Sequence, residues 1–343
     1  MRPFAYARAS DPEAAQAAAA QANASAADAP ATSAPAQFLA GGTTILDLMK
    51  LDVMRPQTLV DINPLRQSAA GRIQADANGL RLGALATMAE AAEHPVVLRD
   101  YPVIADTLRL AASAQLRNMA SLGGNLLQRT RCMYFRDPRP TPCSKRDPGS
   151  GCSARDGVNR QHAILGASEA CVATYPGDFA QALIALDANV ELAGPRGRRS
   201  LAVAALHRLP GDTPHLETAL LPGELITALV VPAGPWTRRS RYLKIRDRES
   251  YQFALTSAAV ALELRGDVVQ QARIALGGVA TVPWRSREAE AALAGKVLDE
   301  AAATAAAEAA FAGARPLRHN AFKVALGKRT LTRALLETRQ MPI

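Results

Sequence analysis

Ser121-Leu-Gly-Gly-Asn125 opens a stretch that runs on to Cys132, Cys143, Cys152 and Cys171, and these four are all the cysteines in 343 residues. Scattered at random, four cysteines would share one 40-residue window only about one time in a hundred, so the clustering asks for a cause. Their spacing, C-x10-C-x8-C-x18-C, has none of the close pairs of zinc ribbons and most ferredoxin-type clusters. Exclusivity is therefore the signal, more than spacing. Thr141-Pro-Cys-Ser144 and Pro148-Gly-Ser-Gly-Cys152 put cysteines in tight turns where backbone N–H groups can reach sulfur. Arg131, Lys145 and Arg146 would offset the charge of thiolates or a cluster. Unrelated thiols would sit in apolar segments instead, and only Cys171, before Val172-Ala173, has that look. On the residues alone, both readings stay open.

Upstream, Phe38-Leu-Ala-Gly-Gly-Thr-Thr-Ile-Leu-Asp-Leu-Met-Lys50 reads as a buried strand end, a glycine turn with two hydroxyl residues, and a helix start. Glycines let N–H groups approach an anion, Thr43 and Thr44 can donate hydroxyls, and the helix offers its positive end. The pattern is neither the dinucleotide fingerprint nor the lysine-bearing phosphate loop. Alone it is equally a tight strand-to-helix turn. Ala120-Ser-Leu-Gly-Gly-Asn125 repeats the style, and a pyrophosphate has two ends to hold.

The length calls for more than one domain. Apolar residues at 48% and charged ones at 21% are those of a globular protein. No run of about 18 apolar residues occurs, and Met1-Arg-Pro-Phe-Ala-Tyr6 lacks the layout of a secretory signal, so neither a membrane span nor self-directed export is expected. The net charge of +9 is dispersed and not interleaved with stacking aromatics, which disfavours nucleic acid and suits docking to an acidic subunit or electron carrier. His94, His162, His207, His215 and His319 show no triad or ligand spacing and read as structural or surface residues.

In order, the chain predicts a strand at residues 3–8, a helix from Ser10-Asp-Pro-Glu13, and an alanine-rich stretch, 14–36, that becomes a flexible polar insertion. Strands follow at 58–63 and 79–85. Helices are expected at Met88–Ala92, capped by Thr87, and over Tyr101–Ala114. Val172–Tyr175, 189–192 and 199–203 read as strands and Phe179–Leu186 as a helix. Pro222-Gly-Glu224 reads as a helix start before a strand ending at Pro232, where Pro232-Ala-Gly-Pro235 marks a boundary. Two strands (253–264, 271–279) and three helices (288–293, 299–312, 320–335) complete a second unit, the last helix with a basic face that reads as solvated. Short strands and irregular spacing give an α+β class. Three segments result: residues 1–55, 56–232 with a cysteine insertion at 129–171, and 236–343.

Taken together, these features resemble, over nearly the whole chain, the flavin-binding medium subunit of the xanthine dehydrogenase family of molybdenum hydroxylases. Residues 38–50 look like that family's first FAD loop and Leu116-Arg-Asn-Met-Ala-Ser-Leu-Gly-Gly-Asn-Leu126 like its second. Gly277-Gly-Val-Ala280 and Pro283-Trp-Arg285 look like the start of its C-terminal domain. The insertion of roughly 40 residues, far longer than a usual loop, resembles that of bacterial periplasmic aldehyde oxidoreductases more than that of 4-hydroxybenzoyl-CoA reductase. Tyr175-Pro-Gly-Asp178 departs from the usual His-Pro-Ser-Asp.

The resemblance implies a two-subdomain FAD-binding domain (PCMH-type, vanillyl-alcohol-oxidase-like) followed by a smaller α+β domain as in CO dehydrogenase flavoproteins. It implies that Leu39, Ala40, Gly41, Gly42, Thr43, Thr44, Ile45 and Leu46, with Ala120, Ser121, Gly123, Gly124 and Asn125, hold FAD, and that Asp178, Ile226 and Lys244 add contacts. A cation near the flavin would favour its reduced anionic form, although Lys244 also reads as a plain strand lysine. Cys132, Cys143, Cys152 and Cys171 would hold a [4Fe-4S] cluster. The implied role is that of an electron outlet with no catalytic residue of its own. It would work in a heterotrimer with a small [2Fe-2S] subunit and a large subunit whose molybdopterin-type molybdenum cofactor oxidises aldehydes to carboxylic acids. The electrons would leave to a ferredoxin-like, quinone-like or O2 acceptor. Export to the periplasm with a signal-bearing partner is expected, the cytoplasm being the alternative. The rival reading is a zinc-binding, non-redox interaction subunit.

Overall fold

The computed structural model describes residues 1–23 and 30–343, so residues 24–29 of the expected polar insertion lie outside the described residues. The first unit is a parallel sheet of β1 (Ala5–Arg8), β2 (Ala36–Leu39) and β3 (Thr58–Asp61) in the order β1-β3-β2. Helix α1 (Pro12–Asn23) crosses between the first two strands; Asp11 Oδ1 accepts the Ala14 N–H at 2.7 Å, and Ala15 packs on Val60 and Ile62. Helix α2 (Ile45–Lys50) follows β2. Because β3 is the central strand, the unit extends past the boundary expected at residue 55.

The second unit is an antiparallel sheet of β4 (Ile73–Asp76), β5 (Gly79–Gly83), β6 (Asn189–Gly194), β7 (Gly197–Ala202) and β8 (Leu225–Pro232), ordered β4-β5-β8-β6-β7. On it pack α3 (Met88–Glu93), α4 (Pro95–Asp100), α5 (Pro102–Arg109), α7 (Leu122–Leu126) and α9 (Phe179–Ala185), with α6 (Ala114–Met119) lying against α3, while α8 (Met133–Arg136) starts the cysteine loop. Thr87 caps α3 through a complete capping box with Glu90. The single helix expected over Tyr101–Ala114 is instead broken. Ala112 adopts φ 51°, and the Ser113 hydroxyl accepts the Leu116 N–H to start a new helix. The strand expected at Val172–Tyr175 is extended chain outside any sheet, its polar groups meeting Ala163 and Ala280. Pro222-Gly-Glu224 is a turn, not a helix start, because the Glu224 carboxylate closes back on the Leu221 N–H.

The third unit is an antiparallel sheet of β9 (Ser240–Ile245), β10 (Thr256–Arg265), β11 (Val268–Gly277) and β12 (Trp284–Arg285), covered by α10 (Arg287–Leu293), α11 (Glu300–Phe311) and α12 (Phe322–Arg339). The α+β class expected from the sequence is what these three sheets and their helices form. Tyr242, Ala259, Ala261 and Ala275 turn away from those helices into the core of the second unit, so the two units share apolar packing.

The cysteine loop touches all three units. Phe135 is fully buried against the first unit with Leu48, Met49 and Leu59, an anchor contributing about 1.5–3 kcal/mol. Ile164 and Leu165 join the core of the third unit, and both their N–H groups reach the Val279 carbonyl. Lys145 reaches the 206–224 connection of the second unit through the Pro214 carbonyl, 2.9 Å away. The insertion is a clamp between units, not a protruding flap.

Candidate functional site: a glycine-loop cavity beside a ring of cysteines

A cavity of about 340 Å³ opens where the first and second units meet. Ala40, Gly41, Gly42, Thr43, Thr44 and Ile45 line one wall; Ser121, Gly123, Gly124 and Ile226 line another. The two loops touch directly. A Cβ on Gly41 would lie 1.8 Å from the Met119 carbonyl oxygen, so only glycine permits the approach, and Gly42 holds φ +72°. Among the described residues, the N–H groups of Gly41, Gly42, Thr43 and Thr44 donate to no protein acceptor. Four free donors at the start of α2, facing a cavity, are an anion cradle.

The second loop differs from the expected glycine turn. Its residues form the first turn of α7, and its N–H groups are already used. Leu122 donates to Ala86, Gly123 to Ala84, Gly124 to the Ser121 hydroxyl oxygen and Asn125 to the Ser121 carbonyl. It therefore contributes a close, Cβ-free surface and one hydroxyl, while the N–H donors come from the first loop.

The other expected residues lie behind these walls. Leu39 and Leu46 pack in the apolar core under α2, and Ala120 is buried. Asn125 sits with its amide nitrogen 3.3 Å from Met88 Sδ and its Oδ1 buried without a partner. Asp178 and Lys244 form a buried ion pair at 2.6 Å. Tyr242 donates to the other Asp178 oxygen at 2.5 Å, and Lys244 also donates to the Leu110 carbonyl at 3.1 Å. The Lys244 charge is thus engaged within the protein and lies off the cavity wall.

Arg129, Thr130, Lys145, His207, His215 and Glu217 also line the cavity, a place the sequence does not assign them. Glu217 receives Lys145 Nζ at 2.8 Å on one carboxylate oxygen and forms an ion pair with Arg129 through the other. Burial alone would raise its pKa, but the charges of Arg129 and Lys145 and the lysine hydrogen bond outweigh this and hold it below its ordinary value. Arg129 is 8% exposed and stacks over Phe135 at 5.0 Å, and apart from its ion pair with Glu217 its guanidinium nitrogens meet no acceptor. His207 bonds the Leu126 carbonyl at 2.9 Å and lies edge-on to Tyr175; burial lowers its pKa. Arg129 and Thr130 follow the second loop directly. His207, His215 and Glu217 come from an irregular connection with no pattern to read.

The four cysteines, free thiols drawn from separate turns, ring one small pocket. An isolated antiparallel bridge pairs Cys143 with Cys152. Backbone N–H groups of Tyr134 and Phe135 favour a thiolate at Cys132, as those of Lys145 and Arg146 do at Cys143 and that of Ala173 does at Cys171. Such donors are what sulfur needs as a metal ligand. Without a metal, burial pushes the Cys132 thiol up to about 12 and the Cys171 thiol to about 11, and raises Cys143. Metal binding there would have to displace protons.

Of the cations expected to offset thiolate charge, Arg146 does so at Cys143 and Lys145 at Cys171, while each also holds other protein groups. Arg131 pairs with Asp47, and Arg146 Nη1 donates to the carbonyls of Tyr134 at 2.6 Å and Phe135 at 3.1 Å. The histidines divide more sharply than expected: His162 Nε2 lies 3.2 Å from Cys132 Sγ, and burial, followed by the Lys323 charge, pushes its pKa down to about 4. Lys145 and Ala173 line both the cysteine pocket and the glycine-loop cavity. Among the described residues, no three His, Cys, Asp or Glu side chains converge tightly enough for a single ion.

Residues 3–234 match the FAD binding domain in molybdopterin dehydrogenase, and residues 241–338 match the CO dehydrogenase flavoprotein C-terminal domain. The chain belongs to the FAD-binding medium subunits of the xanthine dehydrogenase family of molybdenum hydroxylases, and so is an oxidoreductase subunit.

Among its relatives is the aldehyde oxidoreductase FAD-binding subunit PaoB of Escherichia coli (strain K12), 47% identical over 342 residues that cover 99% of each chain. The carbon monoxide dehydrogenase medium chain of Hydrogenophaga pseudoflava is 27% identical over 308 residues, 88% of each chain. Among solved structures, carbon monoxide dehydrogenase from the same organism superposes with a TM-score of 0.73 at 26% identity, covering 98% of this chain and 96% of that one. Quinoline 2-oxidoreductase from Pseudomonas putida 86 superposes with a TM-score of 0.74 over 99% of this chain and 98% of that one; at 24% identity this speaks to the fold.

Proposed function

We propose that this chain is the FAD- and [4Fe-4S]-binding electron-transfer subunit of a heterotrimeric molybdenum hydroxylase that oxidises aldehydes to carboxylic acids. Its companions would be a small [2Fe-2S] subunit and a large molybdenum subunit, and its flavin the outlet to an external acceptor. The observation that carries the reading is that all four cysteines ring one pocket whose wall is also a wall of the glycine-loop cavity. The 47% identity to a subunit named for aldehyde oxidoreductase and FAD supports the substrate class. Bound flavin supplies the capacity to take up one or two electrons.

The chain's own residues position it. The free N–H groups of 41–44 and the Thr43 and Thr44 hydroxyls would hold its phosphates, Ile226 would exclude water, and Arg129 would add positive charge to the cavity wall. For the cysteine pocket, four sulfurs on one zinc would stand roughly 3.8 Å apart. Thiols that ring a pocket without converging on one point suit the corner irons of a cubane better. Export to the periplasm with a signal-bearing partner belongs to the same proposal.

An absorption spectrum of the purified chain tests it. Flavin bands on a broad brown iron–sulfur shoulder, bleached by dithionite, are expected; a colourless protein containing zinc would sink the reading.

A further inference from the structure

The geometry points to Lys145, Glu217 and Arg129 as a buried charge bridge between the two redox sites, setting the potentials of both together. This rests on the reading above, in which one cavity takes flavin and the neighbouring pocket takes an iron–sulfur cluster.

Position comes first. Lys145 lies two residues beyond Cys143 and lines both the cysteine pocket and the glycine-loop cavity. Arg129 lines the cavity, and its guanidinium lies 5.0 Å over Phe135, whose other neighbours include the cysteine pocket. Glu217 joins the two cations, one on each carboxylate oxygen. The Lys145 side chain is 12% exposed and that of Glu217 20%, and both line the cavity. The three are therefore drawn from a cysteine turn, the end of the second loop and the 206–224 connection, and they meet only where the two sites abut.

Charge comes next. Two cations face one carboxylate, which leaves one net positive charge in a poorly hydrated wall. There a fixed charge acts over a longer reach than at the surface. Net positive charge favours whichever neighbour gains an electron. Beyond its ion pair with Glu217, Arg129 has buried Nη1 and Nη2 groups that meet no further acceptor, so no second carboxylate cancels the remaining positive charge. A purely structural ion pair would be neutral. Changing one member should therefore move both centres in the same direction, and changing the carboxylate should move them opposite to changing the lysine.

The test is a spectroelectrochemical titration of the full, cofactor-loaded chain, with flavin and iron measured per chain beforehand. Glu217→Gln should shift the midpoint potentials of both flavin and cluster to more positive values, and Lys145→Gln should shift both to more negative values. Shifts of one sign in both variants, movement of only one centre, or no movement at full loading would overturn the bridge. If a charge-removing variant fails to load, the charge-conserving changes Glu217→Asp and Lys145→Arg take its place. These should load and keep the wild-type potentials, and a shift in either overturns the proposal. Wild-type chain that carries flavin but no iron would instead refute the cluster reading, and the opposite-sign shifts of the flavin alone would still decide the charge argument.

Discussion

Gly41→Ala should abolish tight flavin binding while leaving the fold intact. The new Cβ would stand 1.8 Å from the Met119 carbonyl oxygen, against an ordinary contact of 3.4 Å or more, so the two loops must part by the difference, about 1.6 Å. A hydrogen bond stretched that far is no longer one. The first loop offers four N–H donors to an anion; loss of one or two charge-assisted bonds costs about 2–4 kcal/mol, which weakens binding roughly 30- to 1000-fold. Quenching of flavin fluorescence on titration into deflavinated chain measures this directly. Gly313→Ala, where a Cβ meets nothing within 4 Å, is the control. A Gly41→Ala variant with a native circular dichroism spectrum and wild-type flavin affinity would refute the placement of the cofactor between these loops.

Cys143→Ser should lose iron yet retain flavin, because the two sites draw on different residues; unchanged iron content argues against Cys143 as a ligand. Asp178→Asn leaves Lys244 buried beside a neutral partner and should destabilise the chain by about 3–5 kcal/mol, read by denaturant unfolding. Burial lowers the Lys323 pKa to about 7, whereas the unfolded lysine titrates near 10.4. Between those values the unfolded chain binds more protons, so stability should climb as pH rises from about 7 towards 10. Lys323→Met should flatten that climb, and an unaltered slope would contradict the assignment.

The first glycine loop was legible because its chemistry is local: two glycines, two hydroxyls and a helix start lie in one run, and the free donors are where that run puts them. The second loop was misjudged in one respect. Its glycines suggested free N–H groups, yet the carbonyls of Ala84 and Ala86 claim those of Gly123 and Leu122, a tertiary fact with no local trace, and Ser121 claims those of Gly124 and Asn125. The same holds for β3, whose place between β1 and β2 depends on pairing across 50 residues of chain. Clustering alone brought the cysteines together on paper, and the structure gathers them round one pocket. Arg129 could have been suspected from its place beside the second loop. His215 and Glu217 could not, because nothing in an irregular connection announces which side chains will face inward.

The clamp formed by the cysteine loop bears on how the protein matures. Phe135 belongs to one core, Ile164 and Leu165 to another, and Asn159 and His162 are tied by hydrogen bonds to the turn before α12. On the proposed cluster reading, a loop that has not closed around its metal would leave these seams short of an anchor at once. Iron delivery would then be a step in folding and not a late decoration, and a chain starved of iron should be cut faster by proteases at the junctions between units.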